Sequence, residues 1–101
     1  MARYEILYWH DIPVQVRAGG RRERISQELP PRFLDAVDRA ALATKLTGTD
    51  GYLSQFHWSE PQERGGSPKE VVAAVVAELE AAWPEINWRA TADRIKAERQ
   101  S

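Results

Sequence analysis

Residues 4–16, YEILYWHDIPVQV, constrain the fold most, because two alternating apolar runs flank a polar pair. Residues 3–9 alternate with apolar side chains on both faces, which predicts a strand in the centre of a sheet. Residues 12–18 alternate again, and Pro13 lies near the start of that run, where a missing N–H is tolerated. The pattern predicts two strands of a small sheet with the ionisable residues His10 and Asp11 at their junction.

A third strand is expected at the edge of the same sheet. Gly19-Gly20 favours a tight hairpin, because glycine accepts positive φ. The following residues 21–29 are charged, and only Ile25 and Leu29 are expected to point inward. Charged side chains suit an edge strand, since they discourage pairing with other chains.

Helical spacing and proline placement predict the first helix from Pro31 to about Leu46, with Gly48 as its C-terminal stop. Residues 52–58 then alternate and predict a fourth strand. A short helix that begins at Asp50 is the alternative for this segment.

The second main helix follows a polar stretch, residues 59–66, that is expected to be a loop. Ser67 and Glu70 are spaced as a capping box, with Pro68 at the first helical position. Pro84 ends the helix. An apolar stripe along this helix predicts that it packs on the sheet.

The last residues, 89–101, carry one large apolar side chain, Ile95. A helix this short is marginal on its own, so fraying is expected unless the domain or a partner covers it.

The whole chain, residues 1–101, is therefore interpreted as one α+β domain. Its predicted architecture is a two-layer sandwich in which two main helices pack on an antiparallel four-stranded sheet. The element order is β-β-β-α-β-α plus a short C-terminal helix. The other sheet face is left uncovered, and Leu7 and Trp9 are expected on it.

Composition excludes several classes of protein. With a net charge of −1 and a pI near 6.1, the chain has no overall electrostatic field that would attract it to nucleic acid or to a membrane surface. The chain has no cysteine, which excludes disulfides and thiol catalysis. The first residues carry no leader pattern and no apolar run is long enough to cross a membrane, so the cytoplasm is the expected location.

Four ionisable residues could meet at one end of the sheet if the first and fourth strands are neighbours. They are His10, Asp11, His57 and Glu60. Two imidazoles and a carboxylate can bind a divalent metal, although the spacing does not demand one. The favoured interpretation is two histidines at a strand end, solvated or hydrogen-bonded. No metal or other cofactor is therefore expected.

Arginines crowd the predicted hairpin at positions 17, 21, 22 and 24, and such side chains can grip phosphates or carboxylates. No nucleic-acid-binding motif accompanies them, so nucleic acid is an unexpected partner. No catalytic residues are predicted, because nucleophile, zinc-protease and phosphate-loop motifs are missing. The candidate residues for contact with a partner or ligand are Trp9, His10, Asp11, Arg17, Arg21, Arg22, Arg24, His57 and Trp58.

Three short segments resemble a family of small bacterial proteins called the virulence factor domain. The family patterns are Y-W-x-D-I-P-x-Q-V, L-P-x-R-F and G-T-D-x-Y-L. The matching residues are Tyr8, Trp9, Asp11, Ile12, Pro13, Gln15 and Val16; Leu29, Pro30, Arg32 and Phe33; and Gly48, Thr49, Asp50, Tyr52 and Leu53. The similarity covers about residues 3–83. His10 departs from the basic residue expected there, which weakens a metal site at that position.

The resemblance transfers no catalytic residue, and it implies an accessory role beside corrinoid- and folate-dependent one-carbon transfer systems. The first hypothesis is a non-catalytic domain that docks on a protein partner, because no nucleophile–base or metal constellation is present and the chain combines four tryptophans with an arginine-rich hairpin. The second is a binder of a small anionic ligand, such as a nucleotide or folate-like molecule, with Arg17, Arg22, Trp9 and His57 lining the site. The third is a metal-dependent enzyme that uses His10, Asp11 and His57. A homo-oligomer remains open.

Overall fold

A computed structural model describes residues 2–19 and 23–100 of the chain. The strands are β1 (Ala2–Trp9), β2 (Ile12–Gly19), β3 (Arg24–Glu28), β4 (Phe56–Trp58) and β5 (Gln62–Arg64). The helices are α1 (Pro31–Ala43), α2 (Asp50–Ser54), α3 (Pro68–Ala82) and α4 (Trp88–Gln100). The predicted α+β class and two-layer sandwich are confirmed, with one strand and one helix more than the sequence indicated.

The five strands form one antiparallel sheet in the order β3-β2-β1-β4, and β5 also pairs with β1. The prediction of a central β1 is confirmed, because it has β2 on one side and β4 and β5 on the other. The prediction that the charged segment forms an edge strand is confirmed for β3, which pairs with β2 alone among the described strands.

The β2–β3 turn begins at Gly19, whose φ is 131°. A Cβ atom there would lie 2.0 Å from the carbonyl oxygen of Glu23, so the close approach of the two strands requires glycine. Gly20, Arg21 and Arg22 lie outside the described residues, and the predictions that rest on them are not addressed by the structure.

The core lies between the sheet and the helices. From the sheet it takes alternate residues of β2, and from α1 it takes Phe33 and Val37. Helix α3 packs against β1, β2 and β3 through Val71, Val72, Val75 and Val76. Burying these branched side chains drives the assembly, since removing apolar surface from water is the main favourable term in folding.

Helix α1 ends three residues earlier than the expected Leu46. Lys45 takes a positive φ of 61°, and the amide of Leu46 donates to the carbonyl of Ala41 at 2.8 Å. These features are those of a Schellman motif, in which a left-handed residue closes the helix. The prediction of Gly48 as the stop is therefore wrong, because Lys45 occupies the position that glycine usually takes.

The segment predicted as a strand over residues 52–58 is divided between two elements. Residues 50–54 form α2, which was the alternative, and only residues 56–58 form a strand. The polar segment expected to be a loop contains β5, and Arg64 of that strand donates to Glu78 of α3 at 2.9 Å. This hydrogen bond holds the pKa of Glu78 below its usual value.

The expected exposure of Trp9 on the uncovered sheet face is wrong, because its side chain is completely buried. The register irregularity between Leu7 and Tyr8 places the extra residue, Val14, in β2 and leaves β1 regular. The indole N–H of Trp9 donates to the carbonyl of Tyr52 at 2.9 Å, and the two rings lie 5.8 Å apart. Helix α2, whose residues 52–54 the alternation assigns to a strand, therefore covers this tryptophan.

Both ends of α3 are capped by side chains. At the start, Ser67 and Glu70 form the predicted capping box. At the end, the guanidinium of Arg32 donates to the carbonyls of Glu80 and Trp83, each at 3.1 Å from Nη2. A cation at this end also interacts favourably with the helix dipole. Arg32 thus ties the start of α1 to the end of α3.

Replacing Arg32 by methionine is expected to lower the free energy of unfolding by about 1 kcal/mol, since the charged donors are lost while the stem is retained. The matched control is Arg39→Met on the same helix. Arg39 makes an exposed ion pair with Asp35, which contributes little. Urea unfolding of both variants tests the cap, and equal losses would contradict it.

Helix α4 packs against α1, and Thr91, Ala92 and Ile95 are buried. The side chain of Arg99 donates to the carbonyl of Thr44 at 2.6 Å. Among the described residues, no helix combines the length and the apolar character needed to cross a bilayer.

Candidate functional site

One face of the sheet carries the side chains that alternate with the core residues. In β1 and β2, Glu5 lies opposite Arg17 and Leu7 lies opposite Gln15; Trp58 of β4 is the other neighbour of Leu7. All five side chains remain partly exposed. These five residues are called the uncovered face below.

The centre of the uncovered face is a stack of arginine on tryptophan. The guanidinium carbon of Arg17 lies 3.6 Å from the centre of the Trp58 ring. The same guanidinium forms an ion pair with Glu5 at 3.1 Å, which holds it over the ring. A cation over an aromatic face is favourable, and the tether fixes its orientation.

The two histidines converge at the β1–β2 junction, as the sequence allowed if the first and fourth strands were neighbours. His57 Nε2 donates to the carbonyl oxygen of His10 at 2.7 Å, which assigns the proton to that nitrogen. The His57 ring stacks on Tyr8 with 5.7 Å between ring centres. Burial, with a smaller contribution from Tyr4, raises the pKa of the Tyr8 hydroxyl.

The junction is also bonded to α4. Asp11 accepts a hydrogen bond from Thr91 at 2.6 Å and a second one from Arg94. His10, whose φ of 55° is left-handed, donates from Nε2 to Glu98 at 3.0 Å. The polar pair between the strands therefore serves to fasten the C-terminal helix.

Within residues 2–19 and 23–100, no cluster of three or more histidine, aspartate or glutamate side chains is placed to hold a metal ion. His10 and Asp11 face α4, while the described nitrogen contact of His57 is to a backbone carbonyl. The geometry at the junction is thus a set of structural hydrogen bonds.

The remaining candidates are dispersed. Trp9 is buried beneath α2, whereas Arg24 is exposed on the edge strand β3. Of the residues named for an anionic ligand, Arg17 is neutralised by Glu5 and Arg22 is outside the described part of the chain.

Sequence reasoning missed Glu5, Thr91, Arg94 and Glu98 as partners of the candidate residues. Glu5 could have been found, because a hairpin closed at His10 and Asp11 places it opposite Arg17. The three residues of α4 gave no signal, since nothing in their spacing indicates which surface the helix contacts.

The fold and the face together define a small α+β sandwich that leaves one side of its sheet bare. The family model described as virulence factor matches residues 7–90, most of the chain, and the chain belongs to that family. The resemblance drawn from the three motifs is thereby confirmed. Comparisons with curated proteins and with solved structures find no match.

Proposed function

We propose that this chain is a non-catalytic accessory domain that docks on a protein partner through the uncovered face. The observation that carries the proposal is the Arg17–Trp58 stack, which Glu5 tethers on a face whose five named side chains all remain partly exposed. Tryptophan and arginine are the side chains most enriched among residues that dominate protein–protein affinity.

The tether supports docking on physical grounds. Ordering a long side chain at an interface costs free energy, and a chain already held in place loses less when it binds. Arg17 is held by an ion pair and a ring, and Leu7 and Gln15 extend the surface with apolar and neutral polar groups. This mixture matches the composition of interfaces between proteins that also exist apart.

The junction supports a non-catalytic role. His10, Asp11 and His57, the residues best suited to proton transfer, are bonded to α4 or to the backbone. The partner is proposed among bacterial cytoplasmic proteins of corrinoid- or folate-dependent one-carbon transfer, in keeping with the family resemblance. The proposal requires no cofactor on this chain.

The test is affinity purification from an extract of the native host with immobilised wild-type protein and the variants Trp58→Ala and Arg17→Ala. Both variants are expected to retain at least about tenfold less of the partner, the loss typical of a central contact. The matched control is Arg89→Ala, which removes a guanidinium that lies 5.0 Å from the ring centre of Trp88 on α4. Circular dichroism confirms that each variant is folded.

Failure to recover any partner with the wild-type protein would contradict docking. Equal recovery with the wild type and both uncovered-face variants would contradict this surface as the docking site.

A further inference from the structure

The outer edge of β3 carries backbone groups that no described strand pairs. The amide of Leu29 donates to the carbonyl of Val14 at 3.0 Å, so the backbone of Leu29 points toward β2. Backbone direction alternates along an antiparallel strand. The N–H and C=O groups of Arg24, Ser26 and Glu28 therefore point away from the sheet.

The order of charges along this edge is self-complementary. When two copies of β3 lie antiparallel with Ser26 opposite Ser26, Arg24 of each copy falls opposite Glu28 of the other. Arg24, Ser26 and Glu28 are also the residues whose backbone groups point outward. Each of the three facing pairs, Arg24–Glu28, Ser26–Ser26 and Glu28–Arg24, can therefore form two backbone hydrogen bonds, about six in all. Opposite charges facing each other across antiparallel strands are favourable.

We propose that β3 is a dimer interface, and that its occupant is the β3 strand of a second copy of this chain. The contact is isologous, since a two-fold axis through Ser26 relates the copies. The charged side chains on this edge disfavour pairing with strands of other proteins. With the β3 strand of a second copy, the same charges favour this one antiparallel register.

An acidic groove beside the edge supports the same arrangement. This groove of about 680 Å³ lies between β3, α1 and α3 and includes Glu28, Asp35, Asp38 and Glu80. The groove lies on the helix side of the sheet and the Glu28 side chain on the other side, so the groove carboxylates act on Arg24 of the second copy only through the negative field at this end of β3. Its apolar wall includes Leu34, which is 38% exposed.

The side chains of Arg24, Ser26 and Glu28 lie on the same side of the sheet as Arg17, because Arg17 pairs with Ser26. Self-pairing would thus continue the uncovered face across both copies. The dimer does not depend on the proposed docking function, and the two are tested separately, since Trp58→Ala and Arg17→Ala leave the β3 backbone intact.

Sedimentation of the untagged full chain from about 5 µM to about 500 µM tests the proposal, a range suited to a short interface. The mass is expected to rise with concentration from 11.5 kDa toward twice that value. Arg24→Glu and Glu28→Arg each place like charges opposite each other. Each variant alone is expected to weaken dimerisation at least about tenfold.

Mixing the two variants is the decisive measurement. In a mixed dimer, the glutamate of Arg24→Glu lies opposite the arginine of Glu28→Arg. At the other end of the two strands, the native Glu28 of one copy still lies opposite the native Arg24 of the other. The mixture is therefore expected to dimerise like the wild type. The control Glu63→Arg reverses an exposed charge on β5 and is expected to dimerise normally. Thermal unfolding verifies that all variants are folded.

Three results would overturn the proposal: a wild-type chain that stays monomeric over the whole range, single variants that dimerise as the wild type does, or a mixture that associates no better than either variant alone.

Discussion

Replacing Trp9 by alanine is expected to cost about 3–5 kcal/mol of unfolding free energy, the range for large aromatic side chains removed from a core. Trp9 is fully buried, and its indole N–H is bonded to the carbonyl of Tyr52. The substitution opens a cavity under α2 and removes one of the two donors to that carbonyl, which keeps only the amide of Gln55 at 3.3 Å. A loss of this size approaches the whole stability of a small domain.

The matched control is Trp58→Ala, because Trp58 lies in the neighbouring part of the sheet but on the uncovered face. It loses the stack with Arg17 and a partly exposed ring, so about 1 kcal/mol is expected. Guanidinium unfolding followed by far-ultraviolet circular dichroism measures both variants. Similar losses at the two positions would contradict the assignment of Trp9 to the core and Trp58 to the surface.

The parts of the fold that follow from the sequence are those determined by local pattern. The two alternating runs and the polar pair between them predict β1 and β2, and the spacing of Ser67 and Glu70 predicts the start of α3. In these segments each local preference agrees with the final structure, which is the condition under which a sequence specifies its fold clearly.

The segment around Tyr52 could not be predicted in this way. Its residues alternate as a strand would, yet Tyr52 and Phe56 belong to different elements, and their rings pack edge to face 5.5 Å apart. The helical turn is stabilised by covering Trp9, a contact between residues 43 positions apart in the chain. Tertiary packing overrides local β preference in such short segments.

The candidate site could be predicted only in part, because some of its contacts join segments that are far apart in the chain. The sequence allowed His10 and His57 to meet only if the first and fourth strands were neighbours, and the role of Asp11 depends on a helix about 80 residues later. At the end of α1, Lys45 adopts a left-handed conformation that sequence statistics assign to glycine. Helix–helix contacts and backbone strain of this kind are not encoded in local spacing.

Replacing Ile95 by alanine is expected to cost about 2–5 kcal/mol, since its side chain is only 2% exposed. Ile95 is the one large apolar residue in the polar sequence of residues 89–99, and it packs within the core that α1 completes. Without it, α4 keeps the hydrogen bonds of Thr91 and Arg94 to Asp11 but loses its main apolar anchor.

Native-state hydrogen exchange gives the most direct readout, because it reports local opening separately from global unfolding. In Ile95→Ala, the amides of α4 are expected to exchange faster than those of α3, whereas in the wild type both helices are expected to be protected. The control Lys96→Ala changes the adjacent, exposed residue and is expected to alter stability by less than about 0.5 kcal/mol. If the wild-type amides of α4 exchange as freely as those of an isolated peptide, the helix is not held by the domain. In that case Asp11 and His10 would be available at the surface rather than engaged in fastening α4.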